Sequence, residues 1–265
     1  MKDVQNEGDD RGLDIHKVGI KGLKLPVYLK DRDSVGAQPC VATFNVYSSL
    51  PEGLKGVHMS HFASILQKEC SGSTISLYSL LEVKIQIQQS QMKEMKGGVD
   101  VKVHLEAEFD YFVQKSAPRT HERSCLPVHC KFVVSDNHDS IVEARVPVTT
   151  LCPCSKEMSD KGAHNQRSFI TIAVQSNDWI WIEELIELAE TSASCPIYPV
   201  LRRTDEKAVV DYAYNNPKFV EDVIRDLELK VREDKRIAWY RLYVENEESI
   251  HCHNAYAEKE GGNFQ

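Results

Sequence analysis

From Val99 to Tyr111 the chain alternates with a period of two. Val99, Val101, Val103, Leu105, Ala107, Phe109 and Tyr111 are separated by Asp100, Lys102, His104, Glu106, Glu108 and Asp110. Only an extended backbone sends successive side chains to opposite faces. The pattern therefore demands an antiparallel strand with one face on a core and the other in water. It places His104 on the solvated face. Ser124–Ser135 reads as the partner strand.

The rest of the chain organises around that strand. Val18–Leu29 and Pro39–Ser48 are rich in β-branched and aromatic residues and read as strands. His58–Lys68 and Thr74–Gln89 read as helices, the second with Leu77, Leu80, Leu81 and Ile85 on one face. A second round follows. Ile141–Leu151 and Phe169–Gln175 are expected strands, and Ile180–Thr191 and Asp205–Tyr214 expected helices. Pro217–Lys230 adds a helix with proline in its first turn, where a missing N–H costs nothing. Ile237–Glu245 and Ile250–Ala257 close the chain as strands. This is an α+β pattern of two rounds, strand-strand-helix-helix-strand-strand. The turn cluster Ser135–Ser140 marks the seam. The expected division is a flexible segment 1–12, a first module 13–137 and a second module 138–265.

A length of 265 residues suffices for a sizeable core, and a net charge of −8 argues against a protein built mainly to hold nucleic acid. No apolar run is long enough to span a bilayer. The polar, acidic start MKDVQNEGDDRG does not read as a signal peptide. With eight cysteines and no export signal, a reducing, cytoplasmic setting is expected. Cys40, Cys70, Cys125, Cys130, Cys195 and Cys252 then read as free thiols or small hydrophobes.

Chemistry concentrates in Thr149–Ser168. Cys152 and Cys154 lie one residue apart, and His164 follows beyond a polar loop. Thiolate and imidazole suit borderline-soft divalent metals. Pro153 stiffens the turn between the thiols, and Gly162 lets the loop fold back. On an extended chain both thiols would line one pocket. With one knuckle, and His251, His253 and Glu206 as scattered candidates for the rest, a three-ligand catalytic site suits better than a closed structural one. An inert thiol pair beside a surface histidine is the plainer alternative. Glu248, His251 and His253 offer an acid–base group near neutral pH, or simply a polar strand end. Glu221 and Asp222, opening a helix, either complement its dipole or grip a guanine by paired hydrogen bonds. Arg202 and Arg203, with Arg167 and Lys156, are candidates for phosphates or for a solvated surface. The chain lacks GxxxxGK[ST], GxGxxG and GxSxG motifs.

These residues resemble GTP cyclohydrolase of type IB. The likeness runs from Asp3-Val4-Gln5 and Arg11-Gly12 through Gly56–Ser60. It is strongest in Val146–Lys156 and Gly162–Ser168. It ends with Asp205–Lys207, Asn216–Asp222 and Glu248–His251. The resemblance implies a tunnelling fold, with two tandem modules of antiparallel sheet backed by helices that assemble into a barrel across subunits of a homotetramer. It implies one divalent metal, zinc, manganese or iron, on Cys152, His164 and Glu206. It makes Glu221 the guanine anchor and sets Cys154, Glu248 and His251 around the reacting purine. GTP would be the substrate, yielding 7,8-dihydroneopterin triphosphate and formate, with no nucleic-acid or membrane partner. The family commonly has arginine after His-Met-Ser, where this chain has His61. An archaeal-type cyclohydrolase giving a cyclic phosphate, the related nitrile reductase and a non-catalytic purine- or metal-binding protein are the competing readings.

Overall fold

The structure is a computed structural model and describes residues 3–32, 36–95, 100–136 and 140–262. In chain order the elements are β1 (Ile15–Lys30), β2 (Ala37–Leu50), α1 (Met59–Glu69), β3 (Thr74–Ile75), α2 (Leu77–Glu94), β4 (Val103–Ser116), β5 (Arg123–Val134) and β6 (Ser140–Leu151). There follow α3 (Pro153–Met158), β7 (Asn165–Ser176), α4 (Ile182–Ser192), β8 (Cys195–Pro196), α5 (Arg203–Asn215), α6 (Val220–Glu233), β9 (Ile237–Asn246) and β10 (Ala255–Gly262).

The expected pair of tandem tunnelling-fold modules is corrected by the strand pairing. All ten strands belong to one sheet, ordered β10-β9-β7-β6-β5-β4-β2-β1-β3, with β8 on β6. It is mixed, because β3 pairs parallel to β1 while β1 and β2 run antiparallel. The two rounds of elements read from the sequence exist, but no sheet edge separates them. Strands β5 and β6 each have a neighbour on both sides, so their backbone N–H and C=O groups find partners across the expected seam. Residues 137 and 138, where the division was placed, lie outside the described residues.

The chain clusters into two compact units, Met1–Asp110 with Lys131–Ile141, and Tyr111–Cys130 with Val142–Gln265. In the first, α1 packs on α2 and on β1. Phe62, Leu66, Leu80 and Ile87 from the helices and Val27, Phe44, Val46 and Leu105 from the strands are all at most 1 % exposed. Helix α2 starts later than its apolar pattern suggested. Ser76 caps it, accepting from the Ser79 N–H, while the Ser79 hydroxyl accepts from the Ser76 N–H. Its buried face is Leu80, Val83, Ile87 and Gln91, and Ile85 is exposed. The alternation holds over Val103–Tyr111, where Val103, Leu105, Ala107, Phe109 and Tyr111 are buried; the strand opens at Val103, and Val99 lies outside the described residues. His104 is not simply solvated. It bonds the Glu106 carboxylate at 2.7 Å, and both side chains are less than a quarter exposed. Strand β1 pairs with β2 through register shifts at Ile15/Val18 and Ile20/Leu23. At the second, Gly22 takes a φ of +81° and its N–H reaches Asn45 Oδ1 at 2.9 Å.

In the second unit α4 and α6 pack together, α4 on β7 and α6 on β9. Leu185, Val223 and Leu227 of the helices and Ile170, Ile172, Leu242 and Val244 of the strands are all fully buried. Lys115 Nζ bonds both Glu190 carboxylate oxygens at 2.6 Å, with both side chains about a tenth exposed. The last strand begins later than expected. Residues 247–254 form a loop, and β10 opens at Ala255. No helix among the described residues is long and apolar enough to cross a membrane.

Candidate functional site

The cysteine segment folds as a helix cap rather than as an extended pair of thiols. Strand β6 ends at Leu151, and Cys152 is the N-cap of α3. Pro153 takes the first helical position, where its fixed φ fits. The Cys152 sulfur accepts from the Ser155 N–H at 3.4 Å. Cys154 therefore sits within the helix and is exposed, while Cys152 is half-buried. The shared-face expectation for the two thiols fails, because the chain turns helical between them.

Three hydrogen bonds clamp His164 beside Cys152. The Cys152 N–H donates to the His164 carbonyl at 3.2 Å. The His164 N–H donates to Ser155 Oγ at 3.0 Å, and that hydroxyl donates to the Cys152 carbonyl at 3.2 Å. Gly162, at φ +133°, makes the return turn. The His164 ring is held in turn. Its Nδ1 lies 3.0 Å from Gln166 Oε1 and 3.9 Å from Glu248 Oε2. Gln166 Nε2 donates to Thr150 Oγ1 at 2.8 Å, and Thr150 shares a 2.8 Å hydrogen bond with Ser168. Cys152, His164 and Glu248 are thus gathered by β6, β7 and the loop after β9. His251 and His253 are exposed on that loop, with rings stacked at 5.2 Å.

The other expected residues lie on α5 and α6. The α6 start is stitched to the cysteine segment. Lys218 N–H donates to the Leu151 carbonyl at 3.0 Å, and Lys218 Nζ reaches the Ser192 carbonyl and Asp226. Lys156 Nζ donates to the Tyr214 carbonyl at 2.6 Å. Pro217 precedes the helix instead of opening it. Glu221 is exposed in the first turn of α6, beside Asp222, whose carboxylate caps the Phe219 N–H. Arg202 is engaged by Glu122 at 2.7 Å, and Arg203 opens α5 exposed. Arg167 helps line a cavity of about 390 Å³ together with Thr149, Gln166, Val209, Val210 and Glu247. A larger cavity of about 760 Å³, against His16, Lys17, Tyr47 and His104, contains none of the expected site residues.

Glu206 is exposed in the first turn of α5. Among the described residues no three His, Cys, Asp or Glu groups gather closely enough to hold a metal ion. Cys152 and His164 are held side by side by their main chains, but the expected Cys-His-Glu set is not closed in this structure.

One residue that sequence reasoning missed is Asp205. Fully buried, it accepts from the Arg119 and Thr120 N–H groups, the Thr120 hydroxyl and the Arg202 N–H, all within 3.0 Å. Burial alone would push its carboxyl up, yet these donors bring it down to about 2. The signal was the spacing Arg202 to Asp205, a helix N-cap followed three residues on by an acid.

Comparisons with known proteins agree on a family. A family model described as type I GTP cyclohydrolase folE2 matches residues 1–257. The chain is 45 % identical to the GTP cyclohydrolase FolE2 of Thermotoga neapolitana, covering 100 % of this chain and 98 % of the relative. It is 44 % identical to that of Magnetococcus marinus, covering 99 % and 96 %. Among solved structures it resembles urate oxidase from Bacillus subtilis 168, with a TM-score of 0.53 at 10 % identity over 93 % of this chain and 98 % of the other. Uricase from Arthrobacter globiformis gives 0.51 at 8 % identity, covering 93 % of each. These structural neighbours bear on fold alone.

Proposed function

The chain belongs to the type I GTP cyclohydrolase FolE2 family, and from that premise we propose that it hydrolyses GTP to 7,8-dihydroneopterin triphosphate and formate. The observation that carries this reading is the clamp holding Cys152 beside His164, with Glu248 at 3.9 Å from the imidazole. Glu248 is the proposed proton carrier that stands nearest this clamp, and the chain carries no P-loop motif.

In this reading water adds at carbon 8 of the purine. The ring then opens, a second hydrolysis releases formate, and the ribose rearranges to a ketone that condenses with the exposed amine, expelling one water to close the new ring. Each stage needs a proton delivered or removed. Glu248, His251 and Cys154 are the proposed carriers. Glu221 takes the amino and ring N–H groups of guanine in two parallel hydrogen bonds. Arg167 at its cavity, with Arg202 and Arg203, is proposed to meet the phosphates, although Arg202 must first release Glu122. The divalent metal on Cys152, His164 and Glu206 belongs to the same proposal. No step is routed through it, because Glu206 does not complete the donor set here. A homotetramer is proposed as the active assembly, to be read by light scattering.

The test is to incubate purified protein with GTP and, separately, manganese, ferrous iron or zinc, and to assay formate and fluorescent oxidised neopterin. Metal-dependent formation of both, lost in Cys152→Ala, supports the reading. A cyclic phosphate product would replace it with the archaeal-type reaction. Neither product under any metal would overturn it.

A further inference from the structure

His164 has two chemically distinct ring nitrogens, and a neutral imidazole carries its proton on only one of them. The neighbours of Nδ1 decide which. Gln166 Oε1 lies 3.0 Å from Nδ1, and an amide oxygen can only accept. The other end of that amide is also committed, since Nε2 donates to Thr150 Oγ1 at 2.8 Å. Thr150 in turn shares a hydrogen bond with Ser168. Thr150 and Ser168 are wholly buried and Gln166 is 7 % exposed, so bulk water does not replace these partners.

The amide reversed would aim an N–H at Nδ1 and demand a lone pair there. Glu248 argues against that arrangement. Its Oε2 lies 3.9 Å from the same Nδ1, and a carboxylate facing a ring lone pair is repelled, whereas one facing an N–H is attracted. The carboxylate thus fixes the amide's orientation, and the amide oxygen in hydrogen-bond contact with the ring then calls for the proton on Nδ1. The His164 main chain is fixed on both sides by Ser155 and Cys152, so the ring does not slide away from this contact.

We infer that Gln166 is a positioning residue, which with its buried partners Thr150 and Ser168 holds His164 as the Nδ1–H tautomer and leaves Nε2 as the ring nitrogen with the free lone pair. This rests on the proposed function in one respect, that His164 belongs to the reacting site. The relay itself is a property of the fold. It explains why a glutamine side chain is buried where β7 begins: its two ends sort donor from acceptor.

The test uses full-length protein labelled with ¹⁵N-histidine and dialysed against chelator. Long-range proton–nitrogen correlation spectra report which ring nitrogen is protonated, and His164→Gln identifies the signal. Wild type should show a protonated Nδ1 and an unprotonated Nε2 at His164. Gln166→Met should shift the population toward the Nε2–H form that free imidazole side chains prefer. Gln166→Glu, whose carboxylate also accepts, should restore Nδ1–H. Thr150→Val, which frees the amide to flip, should give a mixture even if Gln166→Met folds poorly. In parallel, Gln166→Met should lose about 10–100-fold in GTP turnover and Gln166→Glu should keep most of it. An Nε2–H signal in wild type, or an unchanged tautomer in Gln166→Met or Thr150→Val, would overturn the inference even with normal turnover. The expected tautomers in a protein that does not turn over GTP would sink the functional reading and leave the relay standing.

Discussion

Lys115→Met offers a sharp test of how the second unit is held together. Lys115 Nζ sits 2.6 Å from both oxygens of Glu190, and the side chains are 11 % and 10 % exposed. Removing one partner of such a pair strands a buried charge and costs about 3–5 kcal/mol. With only a tenth of the Glu190 side chain exposed, water recovers little of that loss. The pH dependence follows from Glu190. Burial pushes its carboxyl up from the usual 4.5, and Lys115 pulls it part of the way back. Without the lysine only the upward push remains. A group raised in the folded state is tolerated best below its unfolded pKa and costs stability as pH rises through the folded one. The Lys115→Met penalty should therefore be largest near neutral pH and shrink toward pH 4.5, the ordinary glutamate value. Urea unfolding of both proteins, followed by circular dichroism at about pH 7.5 and about pH 5, reads this directly. The double variant Lys115→Met with Glu190→Leu should recover most of the loss. A penalty under about 1 kcal/mol near neutrality, as an exposed pair would give, or one that grows on acidification, would refute the reasoning.

Glu106, held down at about 2 chiefly by its bond to His104, contributes stability above about pH 4.5 that is lost as the pH falls toward 2. Glu106→Gln should therefore flatten acid unfolding over that window, and an acid transition identical to wild type would contradict it. Asp205→Ala removes four hydrogen bonds at the start of α5 and should lower the thermal midpoint by several degrees, while Asp205→Asn, which keeps an acceptor oxygen, should lose less. Equal midpoints for the two variants would count against that anchor. Native-state alkylation should modify the exposed Cys125, Cys154 and Cys252 quickly. Cys70 and Cys195, pushed by burial to about 12 and about 11, should react only on unfolding. Fast labelling of either would mean the core opens readily.

What was legible in the sequence is what depends on near neighbours. The alternation of β4 is set by sequence period, and it holds from Val103 to Tyr111. Helices α1, α4 and α5 kept their places to within a few residues for the same reason. The departures come from residues whose patterns fit two structures. Cys152-Pro-Cys154 alternates like a strand but also fits a helix with proline at its first position, and the Ser155 N–H aimed at the sulfur accompanies the second. His251 and His253 alternate like a strand, yet their stacked rings lie in the loop before β10. Thr74–Ser76 looked helical until β1 claimed Thr74 and Ile75 as a short parallel partner. The single sheet was hidden because nothing in the turn cluster Ser135–Ser140 says whether the strands flanking it keep pairing. Within the site, Cys152 and His164 were readable from composition and spacing. The roles of Ser155, Gln166 and Asp205 were not read, because they consist of hydrogen bonds to groups distant in sequence.

The register shift in β1 gives that strand two phases. Between Ile20 and Leu23 the strand advances three residues while β2 advances two, from Val46 to Phe44. Downstream, the odd-numbered Leu25, Val27 and Leu29 face the core; upstream, Val18 and Ile20 stand opposite Ser48 and Val46. Gly22 is thus a half-period offset within one ladder, and no single binary pattern describes the strand. Deleting one residue there would leave an unbroken ladder with better local pairing. Ile20 would stay opposite Val46 and Leu23 opposite Phe44, so both segments would keep their faces, whereas a one-residue deletion elsewhere in the strand, with no bulge to absorb it, would turn part of the strand over.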